Sequence, residues 1–206
     1  ETIFLAEAFT RPRVMERLAK AGFNQSYTYF AWRRSAWELR EYFTDLATRT
    51  VDVLRPNVWP NTPDILTEQL QEGGRAAFVS RAVLAATLSP SWGIYGPAFE
   101  LQESQPVRPG SEEYRDSEKY QLRQWDLAAE HSLAPLIGRL NRIRRQQPAL
   151  QHLRTLWFHQ TDNPDLLCFS KTDPTGAGPA IVVVANVDTA NRQSGFVDLD
   201  LARIGL

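Results

Sequence analysis

The alternation of strand and helix patterns over the first 148 residues constrains the fold more than any other feature of the sequence. Apolar runs alternate with amphipathic helix patterns, one of which begins with a capping-box motif at Ser35 and Glu38. This order is typical of parallel β/α units, so it fits a doubly wound sheet or half of an eight-stranded barrel, whereas a complete barrel needs about 250 residues. We predict strands at 3–7 and 24–29, a broken strand within 51–58, and a short buried strand with its exit loop at 91–99. The predicted helices are 11–21, 35–48, 75–88 and, with interruptions, 117–147.

The pattern changes after Pro148. Four short β-type runs follow, separated by turns rich in Asn, Asp, Pro and Gly: TLWFHQ, LLCFSKT, AIVVVANV and SGFVDLDL. We therefore predict an α/β domain at 1–148 and the beginning of an antiparallel β domain at 149–206. Four short strands alone leave open sheet edges, so we expect both ends of the sequence to lie within a longer protein.

Charge and cysteine content narrow the class of protein. The 206 residues carry 23 basic and 24 acidic side chains without a basic stripe, which argues against a nucleic-acid partner. Cys168 is the only cysteine, so no disulfide forms within the chain, and its apolar surroundings predict a core position in a cytosolic protein. The sequence has no apolar run of the length that spans a membrane.

Two acidic residues follow predicted strands. Glu7 ends the apolar run 3–6, which we expect to be buried, and Asp64 lies in NTPD after the third strand region. Because parallel strands end at one edge of a sheet, both carboxylates face that edge, and paired carboxylates are what glycoside chemistry requires. A structural interpretation, in which Asp64 caps a turn and Glu7 pairs with a basic residue, is favoured by spacing alone. The three histidines are scattered without metal-ligand spacing, so we expect no metal site.

Two further segments are candidates for binding. Lys119 and Tyr120, in DSEKY, fall at a predicted helix start after the fourth strand, a frequent phosphate site in barrels and also a common solvated helix start. Trp32, in YFAWR after the second strand, is either a platform for a sugar ring or a residue packed under the next helix.

The sequence resembles the C-terminal half of the bacterial maltosyltransferases, which extend α-1,4-glucans from α-maltose 1-phosphate and belong to the α-amylase family of retaining glycoside enzymes. The resemblance covers nearly the whole chain. It implies strands five to eight of a (β/α)8 TIM barrel, followed by part of an antiparallel β-sandwich domain. The segments that carry it are FLAEAFTRP, AGFNQSYTYFAWR, PNTPDIL, WGIYGPAFEL and EEYRDSEKYQLR.

The resemblance also implies roles for residues. Glu7 takes the place of the general acid/base, held in a partly desolvated site, and Asp64, in an Asn61-Thr-Pro-Asp context, that of the transition-state stabiliser. Asn61 contacts substrate, and Lys119 and Tyr120 bind the donor phosphate. The nucleophilic aspartate follows strand four, outside this sequence. Typical amylases have a histidine in the Asp64 motif, which is absent here.

The function implied is retaining maltosyl transfer to α-glucans, without cofactor or metal, by a cytoplasmic bacterial homodimer. This chain alone is expected to be inactive because the nucleophile lies outside it. Two alternatives remain open: another α-amylase-family hydrolase or transglycosylase, and a non-catalytic glycan-binding fragment. Phosphate dependence separates the first alternative from the maltosyltransferase.

Overall fold

The computed structural model describes residues 2–176 and 178–206 of the chain. Its first sheet contains four parallel strands that pair in chain order, which confirms the predicted β/α units. The strands are β1 (Leu5–Ala6), β2 (Gln25–Tyr27), β3 (Pro56–Val58) and β4 (Ser91–Trp92). The helices are α1 (Pro12–Lys20), α2 (Ala36–Thr48), α3 (Glu68–Glu72), α4 (Gly74–Leu88), α5 (Gly96–Glu100) and α6 (Ala134–Gln146).

Local sequence accounts for where the first two long helices begin. Pro12 occupies the first turn of α1, where its missing N–H costs nothing, and Gly22 follows the helix with a φ of 111°. At α2 the Ser35 side chain accepts the Glu38 N–H while the Glu38 carboxylate accepts the Ser35 N–H, so the predicted capping box is present.

The expected burial of the first strand is wrong for most of its residues. Ile3, Phe4 and Leu5 are 65, 57 and 37% exposed, and only Ala6 of this run is buried. Within the described chain β1 pairs with β2 alone, so its other edge and much of its surface face solvent. The fourth strand is likewise half-buried, where the sequence predicted a buried one.

The long helix predicted at 117–147 is also wrong in its first half. Residues 117–132 form turns, and the helix begins only at Ala134. Asp116 adopts a left-handed φ of 54°, and the buried Ser117 accepts the Lys119 N–H on its hydroxyl and the Tyr120 N–H on its carbonyl. These local bonds satisfy the backbone without a helix, as Ser and Asp often do in turns.

The second sheet is antiparallel, as the sequence predicted after Pro148. Its strand order is β7-β6-β5-β8, and β6 forms the long central ladder with β7. Cys168, in the middle of β6, is fully buried and has a free thiol, which confirms its core position. The strands are β5 (Trp157–Thr161), β6 (Leu166–Lys171), β7 (Ile181–Asn186) and β8 (Val197–Asp198).

One hydrophobic cluster joins the two parts of the chain. Phe43 of α2 and Leu84 of α4 belong to the same buried cluster as Leu167 and Phe169 of β6. The outer helices of the first sheet therefore provide the surface on which the second sheet packs. Within the described residues, no helix is both long enough and apolar enough to cross a membrane.

Candidate active site

The carboxyl ends of β1, β2 and β3 bring the two predicted carboxylates to one edge of the first sheet. Glu7 lies one residue beyond the Ala6–Ser26 pair, and Asp64 lies in the loop after β3. The pKa of the nearby Tyr27 phenol is raised by burial and, to a smaller extent, by the negative charge of Glu7. In the described chain the Glu7 side chain is exposed, whereas the sequence predicted partial desolvation, because β1 is the outer strand of the sheet.

An aromatic wall lines the same edge. We use this name for Phe9, Tyr27, Tyr29, Trp32 and Trp59, which come from the ends of β1, β2 and β3 and from the loops that follow them. Phe9 touches three of the other rings, with centroid separations of 5.0–6.2 Å, and Tyr27 continues the contact to Trp59 at 5.4 Å. Phe9 meets Tyr29 and Trp32 edge-on and the other two contacts are tilted, and such ring packing stabilises the wall as a unit.

Trp32 is held in this wall by three separate groups. The Phe9 ring meets the indole edge-on at 5.0 Å, and the Tyr29 ring lies 5.7 Å away. The indole N–H donates to both carboxylate oxygens of Glu112, at 2.9 and 3.1 Å. Trp32 remains half-exposed, and these contacts come from loops at the edge of the sheet.

Asn61 supports the site from beneath. Its side-chain amide donates to the Tyr114 hydroxyl at 2.7 Å, and its carbonyl oxygen accepts the Tyr95 backbone N–H at 3.0 Å. Asn61 is fully buried, so in this conformation it joins three loops and has no surface to offer a substrate. Burial also raises the pKa of the Tyr114 phenol, which therefore stays neutral as a partner for the amide.

Asp64 is presented by a tight turn and contacts Lys119. Thr62 and Ile65 exchange backbone hydrogen bonds of 3.1 and 3.2 Å across the turn, and the Asp64 N–H donates to the Thr62 hydroxyl. The Lys119 ammonium donates to the Asp64 carboxylate and lies 3.1 Å from a Glu113 oxygen. Hydrogen bonds with Asp64 and Glu113 raise the pKa of Lys119, so it is a cation at neutral pH.

The predicted helix start at Lys119 and Tyr120 is wrong, because both residues lie in a turn. The favourable helix dipole expected for an anion is therefore missing here, and only side chains can supply the attraction. The Tyr120 ring is 78% exposed and its centroid lies 5.2 Å from the Lys119 ammonium.

Sequence reasoning missed the groups that organise the loop after β4. Glu112 and Glu113 begin the segment EEYRDSEKYQLR, but nothing in their spacing shows that Glu112 contacts Trp32 and Glu113 contacts Lys119. Glu118 is a further case: it accepts from the Tyr95 hydroxyl at 2.5 Å and from the Trp125 indole at 3.1 Å. The Tyr95 bond lowers the pKa of Glu118, while burial and this bond raise that of Tyr95 to about 12.

The fold is that of the α-amylases. An α-amylase from H. orenii superposes over 90% of this chain and 43% of its own, with a TM-score of 0.61 at 14% identity. A maltogenic α-amylase, AmyB of Thermotoga neapolitana, does so over 90% of this chain and 41% of its own, with a TM-score of 0.58 at 14% identity. The chain thus has part of a TIM barrel, built from parallel strands and outer helices, followed by part of a β-sandwich.

Sequence similarity narrows the class to one family. An α-1,4-glucan:maltose-1-phosphate maltosyltransferase of Streptomyces coelicolor is 53% identical over 210 residues, and one of Mycobacterium tuberculosis is 49% identical. The family described as "GLGE, C-terminal" matches residues 158–206. Over its whole length the chain is similar to these maltosyltransferases. All of the chain aligns, and it spans about 30% of the length of each of these relatives.

Proposed function

We propose that a protein containing this chain transfers maltosyl units from α-maltose 1-phosphate to the non-reducing end of α-1,4-glucans, with retention of configuration. The observation that carries the proposal is the contact between Lys119 and Asp64 at the carboxyl end of the sheet, beside the aromatic wall. A cation for a phosphate, a carboxylate for a cationic sugar and aromatic faces for neutral rings stand together there.

The first step is departure of phosphate. An aspartate outside this chain attacks the anomeric carbon, the bond from that carbon to the phosphate oxygen breaks, and phosphate leaves with the electron pair. Protonated Glu7 gives its proton to the leaving phosphate oxygen, and Lys119 and Tyr120 bind the other oxygens of the phosphate. Asp64 stabilises the positive charge on the distorted sugar ring. The product of this step is a β-maltosyl ester of the aspartate.

The second step transfers the maltosyl unit. Glu7, now a carboxylate, takes the proton from the 4-hydroxyl of the acceptor glucan. That oxygen attacks the anomeric carbon, the ester bond breaks, and the aspartate regains its charge. Two inversions give overall retention. Asn61 serves this step indirectly in our proposal, by holding the loop that carries Asp64.

The remaining assignments follow from this activity. We propose that residues 1–148 are the C-terminal half of the catalytic barrel and 149–206 the start of the β domain. We also propose that the protein is cytoplasmic, since a charged sugar phosphate does not cross membranes freely. That it is a homodimer is proposed from the family resemblance alone. Size measurement in solution tests the dimer, and limited proteolysis near Pro148 tests the division.

The experiment uses a protein of the relatives' length that contains this chain. Supplied with α-maltose 1-phosphate and maltohexaose, it should release one phosphate for each glucan extended by two glucose units. Release of maltose without extension would indicate a hydrolase instead. If the protein extends the acceptor from an uncharged glucan donor and does not use α-maltose 1-phosphate, it is another transglycosylase and the proposal is overturned.

A further inference from the structure

Glu112 makes an unusual contact for a loop carboxylate, because both of its oxygens accept the same indole N–H. The two distances to the Trp32 nitrogen are 2.9 and 3.1 Å, across 80 positions of sequence. An indole nitrogen can only donate, and a charged acceptor strengthens the bond. The contact therefore restricts rotation of the Trp32 ring within the aromatic wall.

The backbone around Glu112 is itself fixed, so the carboxylate is a firm anchor. The Leu66 N–H donates to the Glu112 carbonyl at 2.6 Å, and the Val107 N–H donates to the Glu113 carbonyl at 2.8 Å. A bridge joins Pro106 to Tyr114, the buried tyrosine that bonds to Asn61. Glu112 therefore holds the Trp32 indole in a fixed position relative to the loops that follow β3 and β4.

Glu113, the residue after Glu112, contacts the part of the candidate site that contains Lys119 and Asp64. The Glu113 carboxylate lies 3.1 Å from the Lys119 ammonium, which also contacts Asp64. The two adjacent glutamates therefore reach two separate groups, the Trp32 indole and the Lys119 ammonium. One short segment thus holds both the aromatic wall and the cation proposed for the donor phosphate.

We propose that Glu112 is a positioning residue for the acceptor: it sets the plane of the Trp32 indole so that a neutral glucose ring of the glucan can stack on it. The inference rests on the proposed function. Glu113, one position further, positions Lys119 for the donor. In this proposal the two adjacent glutamates serve different substrates: Glu112 acts on binding of the acceptor and Glu113 on binding of the donor.

The test compares Glu112→Ala, Glu112→Gln and Glu113→Ala in a protein of the relatives' length that contains this chain. Glu112→Ala should raise the acceptor KM by about tenfold, the size of one partly exposed hydrogen bond to a charged group, with the donor KM little changed. Glu112→Gln keeps an oxygen that accepts from the indole and should recover most of the loss. Glu113→Ala is the matched control and should raise the donor KM rather than the acceptor KM.

A double-mutant cycle tests whether Glu112 acts through Trp32. Trp32→Phe keeps an aromatic face but removes the N–H, so Glu112→Ala should add little to its effect on the acceptor KM. Additive effects, or a lower melting temperature with an unchanged acceptor KM, would overturn the inference. Absence of any transfer from α-maltose 1-phosphate by the unmodified protein would instead defeat the proposed function.

Discussion

The two sheets of this chain are built in opposite ways. Strands β1–β4 have only two or three residues each, and the side chains at their ends are joined by bonds between distant loops. Strands β5–β7 have five or six residues, and six residue pairs align β6 with β7. The six residues of β6 are all buried, whereas Glu7 and Asp64 at the edge of the first sheet are exposed.

The difference separates stability from recognition. The second sheet, with the helices it covers, contains the shared hydrophobic cluster, so changes there should alter the free energy of unfolding. The edge of the first sheet is held by hydrogen bonds and ion pairs that are partly open to solvent, so changes there should alter catalysis with little loss of stability. Each prediction below tests this separation.

Glu7→Gln should have the largest effect. Glutamine is nearly isosteric but cannot transfer a proton, and general acid/base catalysis contributes about 10²–10⁴-fold to rate. We expect transfer to glucan to fall by about that factor, with the melting temperature unchanged and a covalent maltosyl intermediate that persists. Glu41→Gln, an exposed change on α2, is the control. Near-normal transfer by Glu7→Gln would remove the acid/base assignment.

Phe169→Ala should have the largest effect on stability. Phe169 is fully buried in the shared cluster and packs against Phe158 at 5.8 Å. Removing such a ring costs about 3–5 kcal/mol of unfolding free energy, which chemical denaturation measures. The Michaelis constants of the molecules that remain folded should be unchanged. Phe196→Ala, at a ring that is 83% exposed, is the matched control and should change stability by far less.

Lys119→Ala tests the exposed edge. Lys119 donates charge-assisted hydrogen bonds to the phosphate in our proposal, so use of α-maltose 1-phosphate should weaken by about one to two orders of magnitude. Maltosyl fluoride, a donor without a phosphate, should be affected far less. Equal losses on both donors would show that Lys119 maintains the site through Asp64 and Glu113 and does not read phosphate. Lys20→Ala, at an exposed position of α1, controls for loss of positive charge.

Lys171→Met should stabilise the protein at neutral pH. Lys171 is fully buried, its ammonium has a long 3.4 Å bond to the Leu150 carbonyl, and burial, with the Arg144 charge, lowers its pKa from 10.5 to about 7. Between those values the unfolded chain holds the proton that the folded chain has lost, so wild-type stability rises with pH from about 7 to 10.5. Methionine should add about 1–3 kcal/mol at pH 7.

The pH series provides the control for Lys171. The advantage of methionine should shrink as the pH rises from 7 toward 10.5, because the wild-type amine is then neutral in both states. An advantage that is constant over this range would show that packing, and not the charge, is responsible. Transfer activity should be unaffected throughout, since Lys171 lies in the second sheet.

His159 should give the smallest effect. Its Nδ1 accepts the Asp200 N–H at 3.2 Å, so Nε2 carries the proton and donates to the Ser170 hydroxyl at 2.8 Å. Burial lowers the pKa of His159, so the stability it provides is complete above about pH 6.5 and is lost as the pH falls below that value. His159→Gln should flatten this acid limb by about 1 kcal/mol or less. If His159→Gln leaves the loss of stability at low pH unchanged, that loss arises from carboxylates and not from His159.

The sequence alone determined the order of the strands and the place of the two predicted carboxylates. Helix periodicity and the Ser35 capping box located α2, Pro12 located α1, and turn residues separated the strands of the second sheet. These signals are local: they depend on side chains within a few positions of one another, so a single chain displays them. The assignment of Glu7 and Asp64 to one edge followed from the shared direction of parallel strands.

Only the tertiary structure decided which groups meet at that edge. Glu112 reaches Trp32 across 80 positions, and Lys119 reaches Asp64 across 55. The tertiary structure also buried Asn61 between two tyrosines and left residues 3–5 exposed on an outer strand. The physical reason is that burial and hydrogen bonding depend on which segments lie side by side in space. The order of residue types along the chain does not specify which distant segments these are.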